Sequence, residues 1–168
     1  AAIIEVPGDQ PTIQAAIAVA VPGDEILVQP GVYQEQIDFL GKAITIKAAQ
    51  GPGVTVIDGM NLGSVVTAVS GETPASILSG FQLDNGDSIT GGGIQIQNAS
   101  PTIVNCFITN SLATHGGGAH VQGGQPLFLQ CRFENNIAAN GAGLYVAGNA
   151  TVQDCDFIDN AAWFTGGG

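Results

Sequence analysis

The sequence predicts an all-β fold: a right-handed parallel β-helix, or solenoid, of roughly six rungs with about 25 residues per rung and a short N-terminal capping helix. Three observations carry that prediction. A glycine cluster recurs at Gly91-Gly92-Gly93, Gly116-Gly117-Gly118, Gly141-Ala142-Gly143 and Gly166-Gly167-Gly168, 25 residues apart each time. A second column runs Phe81, Cys106, Cys131, Cys155, flanked by the columns Leu83, Ile108, Phe133, Phe157 and Leu78, Ile103, Phe128, Val152. Within each repeat apolar residues alternate, as in Ile94-x-Ile96, Ala119-x-Val121 and Leu144-x-Val146, and period two means strand. No helix-length segment separates these strands, so they are not βαβ units. They must turn corners and stack rung on rung, about 4.8 Å apart. The right-handed sense follows from the chirality of parallel crossovers.

In chain order, residues 1–24 read as an opening strand and capping helix, and residues 25–168 as rungs. The open end of a solenoid exposes core and strand edge and needs a cover. Pro11–Ala20 supplies it. Ile13, Ala16, Ile17 and Ala20 fall at i, i+3, i+4, i+7; Pro11 suits a first helical turn, and Pro22-Gly23 stops the helix. Strands follow at 25–29, 33–39, 43–49, 54–58 and 65–69. Tyr33, Ile57 and Phe81, 24 residues apart, carry the period back into these less regular rungs. Asn85, Asn110 and Asn135, with Asp159, follow a strand in each repeat; Asn tolerates left-handed turns and can hydrogen-bond the next rung's amide. The chain stops at the fourth glycine cluster, where a strand is due. It is therefore expected to continue beyond 168 in a longer protein, or to meet another surface there.

Composition narrows the partners. Three Lys and Arg stand against 14 Asp and Glu, for a net charge of −11. Phosphate binding needs clustered cations, so nucleic acid is not expected, and an anionic lipid surface is disfavoured for the same reason. No run of about 18 apolar residues exists, so no membrane insertion is expected in this segment. Charged residues make up only 10%, so the surface must be built from amides, hydroxyls and glycine. The start at Ala1-Ala2 without Met fits a processed secreted chain and a trimmed one equally. Three cysteines, an odd number without CxxC spacing, read as a buried thiol ladder.

Two phrases resemble known families. Pro11-Thr-Ile-Gln-Ala-Ala-Ile, Pro22-Gly-Asp-Glu-Ile-Leu-Val and Pro30-Gly-Val-Tyr33 resemble the cap and first rungs of pectin-lyase-like β-helices, including pectin methylesterases and bacterial surface proteins. Phe107-x-x-Asn110, Phe133-x-x-Asn136 and Phe157-x-x-Asn160, with Gly91-Gly-Gly-Ile94 and Gly116-Gly-Gly-Ala119, resemble the FxxN and GGA[ILV] motifs of the chlamydial polymorphic membrane proteins. The first resemblance implies a fold. The second implies an adhesin-like or passenger-type protein, extracellular or on a bacterial cell surface, and brings no catalytic residues. The phrases of the pectin-degrading enzymes are missing. Asp156-Phe157-Ile158 begins like the methylesterase motif and departs at Asp159, Trp163 lacks a preceding Gly-Arg, and the aspartate and basic phrases of polygalacturonase and pectate lyase do not occur.

No catalytic residue is therefore expected, and no cofactor. Three groups remain as candidate sites. Gln95, His120 and Tyr145, each 25 apart, alternate with core residues, and Gln97 and Gln122 lie two positions on. That outward face of amides and one aromatic ring suits a polysaccharide chain, or another protein's surface. Asp154 and Asp156 flank inward Cys155 and are expected on one outward face, where with Glu134 and Asp159 they are the densest carboxylates; Ca²⁺ would want six to eight such oxygens. Arg132 is expected beside Asp156, one rung away. The uncapped last rung could support self-association. The function expected is a secreted or cell-surface scaffold or adhesin-type module without turnover of its own; the alternative is a carbohydrate-binding or carbohydrate-active β-helix. Catalytic solenoids build their sites from long loops, and residues 76–168 contain no insertion longer than a residue or two.

Overall fold

Short apolar-polar alternations bounded by turn residues fold here into strands of two to five residues, arranged as a coil of parallel sheets. The structure is a computed structural model describing residues 1–167; Gly168, the last glycine of the fourth cluster, lies outside them. The first sheet stacks seven strands: Ile3–Val6, Glu25–Val28, Thr45–Ala48, Ile77–Ser79, Thr102–Val104, Leu127–Leu129 and Thr151–Gln153. The second stacks six: Gly31–Gln34, Thr55–Asp58, Gln82–Asp84, Phe107–Thr109, Arg132–Glu134 and Asp156–Ile158. The third has four, Asp87–Thr90, Leu112–His115, Ile137–Asn140 and Ala161–Thr165. The fourth has five, Ile37–Asp38, Val66–Ala68, Ile94–Gln97, Ala119–Gln122 and Leu144–Ala147. The level that raises the count from six rungs to seven in the first sheet is Ile3–Val6, which pairs in register with Glu25–Val28.

The corners explain the repeat. Between the first and second sheets stand Gly80, Asn105, Gln130 and Asp154, all left-handed at φ 51 to 79°. Between the second and third stand Asn85, Asn110, Asn135 and Asp159, at φ 51 to 56°. Asn and Asp enter this region at less cost than other side chains. The third corner is the glycine cluster, entered at Gly91, Gly116 and Gly141 with φ 55 to 67°. Its last glycine is needed for a different reason, close approach. A Cβ on Gly118 would come 2.8 Å from Phe133 Cδ1 and 3.0 Å from Asn136 Nδ2.

The inward columns form one continuous core. Leu78, Phe81, Leu83, Ile103, Cys106, Ile108, Phe128, Cys131 and Phe133 are all buried. Rings stack between rungs, Phe133 over Phe157 at 4.8 Å and 2°. Burial pushes the Cys106 thiol up to about 12, and burial, reinforced by Cys106, also raises Cys131; both thiols donate to carbonyls of their own corner. These two are packing groups, as the column implied, whereas Cys155 on the last rung is only half-buried.

The asparagine ladder sits one residue beyond the predicted column. Asn136, fully buried, donates to Ile108 O and Asn160 Oδ1 and accepts from Ser111 N–H; Asn160 donates to Phe133 O. Asn85 and Asn110 instead reach back to Asp58 and Asp84 at 3.0 and 2.8 Å. Phe133-x-x-Asn136 and Phe157-x-x-Asn160 thus share one register, in which Ile108 and Ser111 are the counterparts. Phe107-x-x-Asn110 matches the letters but lies one position off and faces the other way.

The capping helix spans Ile13–Val19, with Thr12 as N-cap, so Pro11 precedes the cap rather than filling the first turn. Ile13, Ala16, Ile17 and Ala20 are buried as the periodicity predicts; each isoleucine contributes roughly 1.5–3 kcal/mol of burial. The second rung holds both helix ends. Glu35 accepts from Ile13 and Gln14 N–H at 2.9 Å, and Lys42 Nζ donates to Ile17, Ala18 and Ala20 carbonyls at 2.7–2.8 Å. The expected strand at 33–39 is two strands, because the chain turns at Glu35-Gln36.

Candidate functional site

The third sheet is a flange. The chain leaves the coil at Gly86 and returns at Gly92, whose backbones approach so closely that no Cβ would fit on Gly86. The excursion is shorter on the preceding rung. There Asp58 accepts from Met60 N–H at 2.9 Å, Met60 and Asn61 are both left-handed at φ 56°, and the chain is back in the coil by Val65. The flange therefore overhangs a step, and that step holds a cleft of about 600 Å³ lined by Asn61, Leu62, Asp87, Ser88, Ile89, Leu112, Ala113, Thr114 and Trp163. The cleft lies where the regular repeats of 76–168 meet the irregular rung before them. Its signal was the two-residue shortening at 59–65, hidden in an irregular rung.

On the other side of the flange lies the predicted face. The fourth sheet sets Asp38, Thr67, Gln95, His120 and Tyr145 in one outward column, so the register was right and Asp38 and Thr67 extend it. The column is not an open platform. His120 is only 5% exposed, stacked on Tyr145 at 5.3 Å and 7°, and His115 of the flange closes over the same ring at 5.1 Å. His115 is fixed in turn by Asn140, 3.2 Å from Nδ1, and Asn140 accepts from Thr165 Oγ1. Among the described residues, His120 Nδ1 and Gln95 Oε1 are buried without a hydrogen-bond partner. Burial first, and the neighbouring His115 second, hold His120 below the usual histidine range. Gln97 and Gln122 are exposed, in register with Ala147. An imidazole with no accessible nitrogen on one side and no carboxylate to orient it is poorly placed as a general base.

The carboxylates do not converge. Asp154 stands at a corner, left-handed at φ 53°, while Asp156 begins the next strand in another sheet; the corner separates the pair that alternation alone had put on one face. Among the described residues no group of three or more acidic, His or Cys side chains converges as metal ligands would. Arg132 is in register with Asp156, as expected, but its ion pair is with Glu134 at 2.8 Å on its own strand. The shorter arc along the strand wins, and the guanidinium also lies 5.9 Å over the Phe107 ring.

Residues 33–168 match a family model described as a right-handed beta helix region. No curated protein matches the chain. No solved structure matches it either.

Proposed function

Because this chain belongs to the right-handed β-helix family and four of its five cationic or imidazole side chains are engaged within the fold, we propose that it is a non-catalytic scaffold or adhesin-type module of a secreted or cell-surface protein. The observation that carries this reading is the use of its five cationic or imidazole side chains. Lys42 caps the helix, Arg132 pairs with Glu134, His115 meets Asn140, and His120 is stacked beneath Tyr145; Lys47 alone is exposed. Polysaccharide lyases, esterases and hydrolases need a positioned base or nucleophile beside a charge-stabilising partner, and no such pair stands in the cleft or on the fourth sheet. The shared register of Phe133/Asn136 and Phe157/Asn160 supports kinship with the chlamydial polymorphic membrane proteins, while the off-register Phe107/Asn110 weakens it. The helix cap, with Pro11-Thr-Ile-Gln at its start, supports the broader pectin-lyase-like likeness.

Pectin, polygalacturonate and alginate, followed by reducing-sugar, unsaturated-product and methanol readouts, test the proposal. No turnover is expected. Turnover abolished by His120→Ala or Asp156→Ala would contradict it. A carbohydrate-binding face is the second reading, favoured by exposed Gln97 and Gln122 beside half-buried Tyr145. Glycan binding without turnover, lost in Tyr145→Ala and weakened in Gln122→Ala, would select it.

A further inference from the structure

Three thiols on successive rungs are set in one geometry. Cys106 Sγ lies 3.8 and 3.4 Å from the carbonyl oxygens of Leu78 and Val104, Cys131 Sγ 3.4 and 3.5 Å from those of Ile103 and Leu129, and Cys155 Sγ 3.5 and 3.3 Å from those of Phe128 and Gln153. These carbonyls are equivalent from rung to rung: Leu78, Ile103 and Phe128 are register partners in the first sheet, as are Val104, Leu129 and Gln153. Equivalent contacts mean one shared rotamer, so the sulfurs step along the coil at the rung spacing, ~4.8 Å. The backbone keeps the same step. Leu129 pairs with Gln153 and Arg132 with Asp156, so the corner between them sets Cys131 beside Cys155. Cα atoms ~4.8 Å apart fall inside the roughly 4.4–6.8 Å that a disulfide spans.

The three positions differ in access. Cys106 and Cys131 are buried, whereas Cys155 is half-buried. Cys155 Sγ also leans onto the preceding rung, where the Cys131 N–H donates to it at 3.4 Å. One member of this pair is therefore open to solvent, and the other adjoins it from inside. Half-burial leaves the Cys155 side chain room to turn about its Cα–Cβ bond toward Cys131, which close packing denies to Cys106.

We propose that Cys131 and Cys155 form an inter-rung disulfide when the folded chain meets a small-molecule disulfide. The Cys155 thiolate attacks that oxidant, bonds to one of its sulfurs and releases the other as a thiolate. Cys131 then gives its proton to solvent, and its sulfur attacks Cys155 Sγ and expels the second small thiol. Two protein thiols are oxidised, and one small disulfide is reduced to two thiols. Burial keeps Cys131 protonated and slows the second step, but a sulfur held on the adjoining rung attacks at a high effective concentration. Cys106 remains a free thiol. The bond staples one full turn of the coil. A secreted chain meets such oxidants outside the cell, but the chemistry does not depend on that reading, and neither does its test.

The reduced, folded chain is incubated with oxidised glutathione at pH 8, quenched with acid and digested for mass spectrometry. Free thiols should fall from three to one, with the peptides carrying Cys131 and Cys155 joined. The joined chain should unfold at a higher urea concentration than the reduced one, because the closed loop restricts the unfolded state. Cys106→Ser should leave the linkage unchanged, and Cys155→Ser should abolish both the bond and the urea shift. Glutathione retained on Cys155, a link between Cys106 and Cys131, a bond joining two chains through Cys155, three thiols left free, or a urea midpoint unchanged or lowered by the bond would each overturn the proposal.

Discussion

Lys42 and Asp24 show how single side chains close the amino-terminal end. The Lys42 ammonium meets three of the carbonyls left unpaired at the helix C-terminus, and the helix's partial negative end adds to the attraction. Lys42→Met should lower stability in urea by roughly 1–3 kcal/mol, whereas exposed Lys47→Met should stay within about 0.5 kcal/mol. Asp24 accepts from Ala2 and Val21 N–H at 2.7 and 2.9 Å, and these bonds hold its carboxyl below the usual range. A depressed folded-state value means the stability is present above the unfolded carboxyl's ~3.9 and is lost as pH falls through the folded value. Asp24→Asn should therefore flatten the acid limb of a stability-versus-pH curve; an unchanged limb would remove Asp24 from the account. Neither contact was legible in the sequence. Spacing marked the helix and its buried stripe, but a tether between residues more than 20 apart depends on how the second rung passes beneath the helix.

At the scale of elements, the ladder of Ser111, Asn136 and Asn160 ties three corners together. Asn136→Ala would strand Ser111 N–H and Ile108 C=O in the core, and should cost roughly 2–4 kcal/mol in chemical denaturation. Asn135→Ala, at an exposed left-handed corner one residue away, should cost only about 1–2 kcal/mol. Equal losses at both positions would mean that the ladder carries no special weight. The sequence pointed to an asparagine column and chose the neighbour, because Asn85, Asn110 and Asn135 repeat as letters while the inward position varies as Gly86, Ser111, Asn136 and half-buried Asn160. Side-chain direction decides between them, and at a corner the alternation that settles direction within a strand no longer applies. The same break separates Asp154 from Asp156.

Across the whole molecule, the 25-residue period was enough to recover the parallel stack, the inward columns and the register of Gln95, His120 and Tyr145. Two features escaped it. The flange step comes from a difference between rungs, which a search for sameness passes over. His120 is buried against Tyr145 of its own column, and Tyr145 in turn meets His115 from another sheet, a contact no strand pattern encodes. A solenoid buries its interior by stacking, so destabilisation in the core should spread along the coil. Phe128→Ala, among the largest fully buried side chains, should cost roughly 3–5 kcal/mol. Cys106 and Cys131 should resist iodoacetamide at pH 8 until the chain is unfolded, since burial keeps both protonated there. Rapid labelling of both in the folded protein would show that the core opens locally.

Whether the polar column is packing or chemistry can be read from one titration, of the His120 ring by nuclear magnetic resonance with and without oligosaccharide. Burial and the adjacent His115 predict a midpoint below the ~6.5 of a free histidine, unmoved by the sugar, with stability falling as pH drops from ~6.5 towards that midpoint because the unfolded chain takes up the proton first. A midpoint at or above ~6.5 would contradict the burial of His120, and one that shifts when oligosaccharide is added would place the sugar against the column and select the carbohydrate-binding reading.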